Sequence, residues 1–165
     1  MKQLIRAGYN EIRGILMQPN DPLRSLLQSL PPPRTFHLFI SHSWEYGQDR
    51  TNLGNLIANG LTPDTALDYS APSSDPIHTA NAAQLTQALT QRISQSGVLI
   101  FPAGVYASYS SWIPTEISIA QQLQKPIIAV EKWGSQRSSS MAQQAHEIVG
   151  WNSGTISAAI RRWHP

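Results

Sequence analysis

The chain has 165 residues, 41% of them hydrophobic and 13% charged, and no cysteine. That length fits one globular domain able to bury roughly 70% of its extended surface. The lack of thiols removes disulfide scaffolds, thiolate zinc sites, iron–sulfur clusters and cysteine nucleophiles together, and fits an intracellular, cytoplasmic protein. Twelve Lys and Arg against ten Asp and Glu give a formal charge of +2, and the basic residues are scattered apart from Arg161 and Arg162, so nucleic acid is not an expected partner.

Lys2 and Arg6 are not followed by an unbroken apolar run of signal-peptide length, and no stretch approaches the ~18 apolar residues of a membrane span, so no membrane partner is expected. Residues 1–35 carry Leu4, Ile5, Ile12, Ile15 and Leu16 at roughly helical spacing, then Leu23, Leu26, Leu27 and Leu30 after Pro22. Pro31, Pro32 and Pro33 end any helix. This segment is expected to be a helical N-terminal extension with a Pro-rich linker, its apolar stripe packing on its own domain or meeting a partner.

From residue 36 onward, short apolar runs alternate with longer polar, helix-compatible stretches, as in strand–helix units around a parallel sheet. Strands are predicted at 36–40, weakly at 66–69, at 98–101, at 127–130 and as a short edge at 148–151, with helices over 48–59, 81–95, 112–124, 138–146 and 153–163. The runs Val98-Leu99-Ile100-Phe101 and Ile127-Ile128-Ala129-Val130 are continuously apolar, as central strands covered on both faces should be. Asn81 is placed to cap a helix whose Leu85, Leu89 and Ile93 recur at steps of four; Gly97 follows its end, and Pro126 marks the entry to the fourth strand. The expected architecture is α/β: a three-layer, doubly wound, five-stranded, mainly parallel sheet over residues 36–165.

In such sheets ligands sit beyond the carboxyl ends of the strands, which directs attention to the segments after Ile40, Tyr69, Phe101 and Val130. Phosphate-loop and dinucleotide glycine signatures are absent, as is a G-x-S-x-G nucleophile elbow. His37, His42, His78, His146 and His164 lie at no metal-ligand spacing, so neither a metal nor a bound cofactor is expected. A phospho-acceptor receiver would need acids at the end of its first strand and an Asp ending the third; Ser41-His42 and Phe101-Pro102 stand there instead.

Trp112-Ile113-Pro114-Thr115-Glu116 opens the helix after the third strand. Residues four apart share a helix face, so Trp112 and Glu116 would line one wall of a cleft while Ile113, Ile117 and Ala120 turn to the sheet. An aromatic slab beside a carboxylate suits a sugar bearing a departing aromatic base: the ring stacks, and the carboxylate accepts ribose hydroxyls and stabilises an oxocarbenium-like transition state. The same spacing also fits an acid set near a helix N-terminus for the dipole and a Trp anchoring the core.

Several segments together resemble the bacterial TIR-like family of the Thoeris antiphage-defence system, which has a flavodoxin-like fold. They are Phe39 to Tyr46, Asp68-Tyr69-Ser70-Ala71-Pro72, Gly104-Val105-Tyr106, Trp112 to Glu116, Lys125 to Val130 with Trp133-Gly134, and Ile148 to Asn152. The elements run in order from about 36 to 160. The resemblance implies cleavage of the nicotinamide–ribose bond of NAD, with NAD as substrate and Glu116 as the catalytic residue. It also implies a cyclic or conjugated ADP-ribose product that activates a separate effector protein, a phage-derived trigger, and self-association. By position, Ser41, His42 and Ser43 would meet the substrate, and Tyr46, Asp68, Tyr106 and Trp112 would shape the same cleft. His42 would orient a hydroxyl or simply anchor its loop. Two other functions fit the same residues: a nucleoside deoxyribosyltransferase-like enzyme, and a non-catalytic TIR-like interaction module.

Overall fold

The computed structural model describes residues 29–41, 47–70, 81–103, 112–131 and 140–165. The chain divides into two units, Met1–Pro33 and Arg34–Pro165. The helices expected before residue 28 lie outside the described residues, and the sheet belongs wholly to the second unit.

That sheet has five strands: β1 (Thr35–Ile40), β2 (Thr65–Asp68), β3 (Val98–Pro102), β4 (Ile127–Glu131) and β5 (Glu147–Gly150). Their spatial order is β2-β1-β3-β4-β5, and every neighbouring pair is parallel. This is the flavodoxin-like order, in which the winding reverses between β1 and β3. β3 and β4 are central and apolar at four successive positions, all buried. β2, with the sequence Thr-Ala-Leu-Asp, is an exposed edge, which is why its signal is faint in the sequence.

Strand alternation sorts the core onto two faces. Phe36, Leu38, Ile40, Val98, Ile100, Ile128 and Val130 pack with Leu53 and Ile57 of α1 (Gly47–Leu61) and with Ile156 and Ile160 of α4 (Ser153–Trp163). Phe39, Leu99, Phe101, Ile127 and Ala129 pack with Leu89 and Ile93 of α2 (Ala82–Gln95) and with Ile113, Ile117 and Ala120 of α3 (Ile113–Gln122). The result is a three-layer doubly wound domain. No helix among the described residues is long and apolar enough to cross a membrane.

Local chemistry fixes the element ends. Asn81 caps α2 by accepting from Gln84 N at 2.9 Å, and Asn152 caps α4 in the same way through Thr155 N at 2.9 Å. α3 tolerates Pro114 in its first turn, where the missing N–H has no helical partner to lose. The helix closes on Gln124 at φ 53°, a left-handed residue that turns Lys125 N back onto Ala120 O at 2.8 Å. Lys125 then sends its ammonium to Ser94 O at 2.9 Å and Ser96 O at 2.7 Å, satisfying carbonyls where α2 ends.

The helix expected over 138–146 is not formed: among its described residues only one 3₁₀ turn, Ala142–Gln144, is helical. The reason is the edge of β4. His146 N donates to Ile127 O at 2.8 Å and Ile127 N donates to His146 Nδ1 at 3.1 Å, so the chain has already joined the sheet by residue 146. β5 accordingly begins at Glu147, one residue earlier than expected, and Trp151 falls beyond it.

At the other end of the sheet, His164 closes the domain. His37 N donates to His164 Nε2 at 2.9 Å, and the His164 ring meets Phe36 edge-on at a centroid distance of 5.1 Å. A Cβ at Gly97 would overlap that ring, so any side chain there would push His164 from its seat. Burial holds the His164 pKa below the usual imidazole value, consistent with an unprotonated Nε2 accepting the amide.

Candidate active site

β1 ends by placing Ser41 at the carboxyl edge of the sheet. Ser41 N donates to Ile100 O at 2.8 Å, so its backbone still belongs to the ladder. The alternation that turns Phe39 toward α2 and α3 therefore turns Ser41 the same way. α3 starts just beyond the end of β3, and its first helical hydrogen bond, Glu116 N to Trp112 O at 2.9 Å, fixes Glu116 in the opening turn. The two side chains meet: Ser41 Oγ donates a short hydrogen bond to Glu116 Oε2.

Both are deeply enclosed, Ser41 at 1% and Glu116 at 6% relative exposure. Removal from water disfavours the carboxylate and pushes the Glu116 pKa up to about 7, although the Ser41 hydrogen bond favours the ionised form and works against the rise. A carboxyl group whose ionisation is balanced near neutral pH, oriented by a fixed donor, can take up or release a proton or hold a developing cation at ordinary pH. Buried carboxylates in low dielectric are strong partners for positive charge.

The other expected site residues are distributed as follows. Trp112 is half-buried at the N-cap position of α3 and packs against the core on the α2/α3 face, one turn before Glu116. Asp68 ends β2 at the same edge of the sheet. Its register partner is Leu38, which places it on the α1 side rather than beside Glu116. There its Oδ1 accepts from Ser70 N at 2.8 Å and Ile40 N at 3.4 Å, and its Oδ2 pairs with Arg50 Nη2 at 2.9 Å. His42, Ser43, Tyr46 and Tyr106 lie outside the described residues. Sequence reasoning missed Arg50, which reaches from α1 to both Asp68 and Ser70 Oγ, the latter at 2.9 Å. Its Nε is buried with no hydrogen-bond partner among the described residues. The available signal was an Arg at the start of the helix that follows the first strand.

These features define a flavodoxin-like α/β domain with a buried glutamate, held by the serine ending β1, at the carboxyl edge of its parallel sheet. Residues 39–137 match the family described as Thoeris protein ThsB, TIR-like domain. The chain belongs to that family. Among solved structures it is similar to the CMP N-glycosidase BcmB of Clostridium botulinum, with TM-score 0.48 and 15% identity over 77% of this chain and 99% of that one. It is also similar to a 3-dehydroquinate dehydratase-like protein of Bifidobacterium longum, with TM-score 0.45 and 11% identity over 79% and 95% of the two chains. A diflavin flavoprotein A3 of Nostoc sp. aligns with TM-score 0.40 and 12% identity over 80% and 96%. No curated protein matches the chain.

Proposed function

We propose that this domain is the NAD-consuming, signal-making member of a Thoeris defence system, cleaving the nicotinamide–ribose bond with Glu116 as catalytic residue. The observation that carries the reading is the Ser41-held, buried Glu116 at the carboxyl edge of the sheet, with its pKa pushed up to about 7.

The chemistry suits NAD in one respect above others. Its nicotinamide ring is a cation that departs as a neutral base, so bond cleavage needs no acid to protonate the leaving group. One carboxylate suffices: it accepts hydrogen bonds from the ribose hydroxyls and stabilises the positive charge that moves onto the sugar. The C1″–N bond breaks with its electron pair going to the ring nitrogen. An oxygen nucleophile then bonds to C1″ and passes its proton to Glu116, whose pKa near neutrality fits a general base. An internal hydroxyl gives a cyclic ADP-ribose, an added acceptor gives a conjugate, and water gives ADP-ribose; exclusion of water selects among them. The product then activates a separate effector, and a phage component triggers synthesis. Ser41 is a positioning residue here, fixing the rotamer and protonation balance of Glu116.

The test is mass spectrometry of small molecules from cells expressing the chain, with and without phage infection, beside Glu116→Gln. An ADP-ribose-derived species made on infection by the wild type and missing from the variant is the expected result. Identical profiles from wild type and variant under infection would remove Glu116 from catalysis and leave the interaction-module reading, whereas base exchange on nucleosides with NAD untouched would favour the deoxyribosyltransferase-like one.

A further inference from the structure

Glu131 is a further carboxyl group at the carboxyl edge, besides Glu116 and Asp68, and its Oε1 is buried with no hydrogen-bond partner among the described residues. An acceptor in that position has lost water without replacing it, which is unfavourable unless a ligand supplies the donor. β4 alternates so that Ile127 and Ala129 face α2 and α3 while Ile128 and Val130 face α1 and α4. Glu131 therefore falls on the α2/α3 side, the side of Ser41 and Glu116.

The sheet register gives its distance from Ser41. Ile40 pairs with Ile100, which sets Ser41 beside Phe101, and Phe101 pairs with Ala129. The hydrogen bond from Ala103 N to Val130 O, 2.8 Å, carries the β3–β4 ladder on to Ala103 beside Glu131. Ser41 and Glu131 are thus two strands apart and two residues out of line. With ~4.8 Å between strands and ~3.3 Å per residue their Cα atoms lie about 12 Å apart. The side chain between them in the Glu131 row is the methyl of Ala103. Glu116 reaches across to Ser41 over the same face, so the two carboxyl groups flank one stretch of the carboxyl edge and can hold the two parts of one nucleoside.

We propose that Glu131 is a specificity-determining residue for the departing base: its Oε1 accepts an N–H of the nicotinamide carboxamide while Glu116 holds the ribose. The assignment rests on the NAD reading above. The orphaned atom is a carboxyl oxygen in need of a donor, and the base next to the reacting ribose offers an amide donor on a cationic ring. Attraction to the ring charge is lost as the base leaves neutral, so Glu131 strengthens substrate binding and does not speed bond cleavage. A deamidated base would set carboxylate against carboxylate and be rejected.

Calorimetric titration of the full chain with NAD, its nicotinate analogue and its hypoxanthine analogue tests this, for the wild type and Glu131→Gln. The wild type is expected to prefer NAD over the nicotinate form by about ten- to a hundredfold, the loss typical of a charged hydrogen bond. Glu131→Gln, whose amide can donate to the nicotinate carboxylate, should erase most of that ratio and leave the hypoxanthine analogue bound like NAD in both proteins. A wild type that binds NAD and nicotinate dinucleotide equally would overturn the proposal without any variant. So would an unchanged ratio in Glu131→Gln, or a variant altered toward the hypoxanthine analogue instead; in each case the NAD reading survives. A wild type that neither binds nor consumes NAD, with extract of phage-infected cells added, refutes the NAD reading itself.

Discussion

Glu116→Gln is expected to stabilise the fold above neutral pH while abolishing activity. The folded state holds the Glu116 proton up to about pH 7, whereas the ordinary value is 4.5, so between those values the folded chain binds more protons than the unfolded one. Stability therefore falls as pH rises through this window and the loss is complete above the folded pKa. A rise from 4.5 to about 7 corresponds to about 3 kcal/mol. Gln keeps the shape and still accepts from Ser41 Oγ but never ionises, so the variant escapes that loss. For a chain of 165 residues the difference is worth about 6–12 °C in Tm. Thermal melts of both proteins at pH 5 and pH 8 measure it: the variant should gain at pH 8 and the gap should largely close at pH 5. Because other titrating groups are common to both proteins, they cancel in the difference. A gap of equal size at both values, or a variant less stable at pH 8, would refute the claim that burial of an ionisable group at this position is what raises its pKa.

Other expectations follow from the same structure. NAD consumption, measured as kcat/KM, should rise with pH through about 7 as Glu116 ionises, and Ser41→Ala should move that rise to higher pH because the hydrogen bond that favours the carboxylate is gone; a rise left in place would separate Ser41 from Glu116. Gly60→Ala should destabilise by roughly 1–3 kcal/mol in urea titrations, since a Cβ there overlaps the Ser153 carbonyl and Ser157 where α1 crosses α4. Gln124→Gly should stabilise by up to about 1 kcal/mol by relieving a left-handed residue with a side chain; no gain in urea midpoint would count against strain at that turn. His164→Ala should cost about 1–3 kcal/mol and speed amide exchange at His37, whose N–H loses its acceptor.

How far the sequence discloses all this depends on the range of the interaction. β3 and β4 are plain from four apolar residues in a row, because a strand covered on both faces has no polar side to show. The caps at Asn81 and Asn152 obey a local rule, although only the first stands out before an obvious stripe of leucines and isoleucine. The stretch after Ser140 reads as helix by local propensity and loses to a hydrogen-bond pair with Ile127 that no local pattern reports. Ser41 and Glu116 can each be assigned to an element end from sequence, but their contact joins residues 75 apart and depends on the phase of β1. Asp68 shows the limit most clearly. Its position at the end of β2 is legible, yet the register that aligns it with Leu38, and so turns it toward Arg50 and α1, belongs to the sheet as a whole. Arg50 and Glu131 leave no periodic trace, since each is a single charged residue at an element end.

The seat of His164 against His37 also sets where anything joined to the chain can travel. His37 is four residues before Ser41 on β1, so His164 is anchored roughly 13 Å down the strand from the carboxyl edge, toward the opposite rim of the sheet. A dye or surface tether fixed to the exposed residue 165 therefore departs away from Ser41 and Glu116, and immobilising this domain there presents the carboxyl edge outward to ligands in solution.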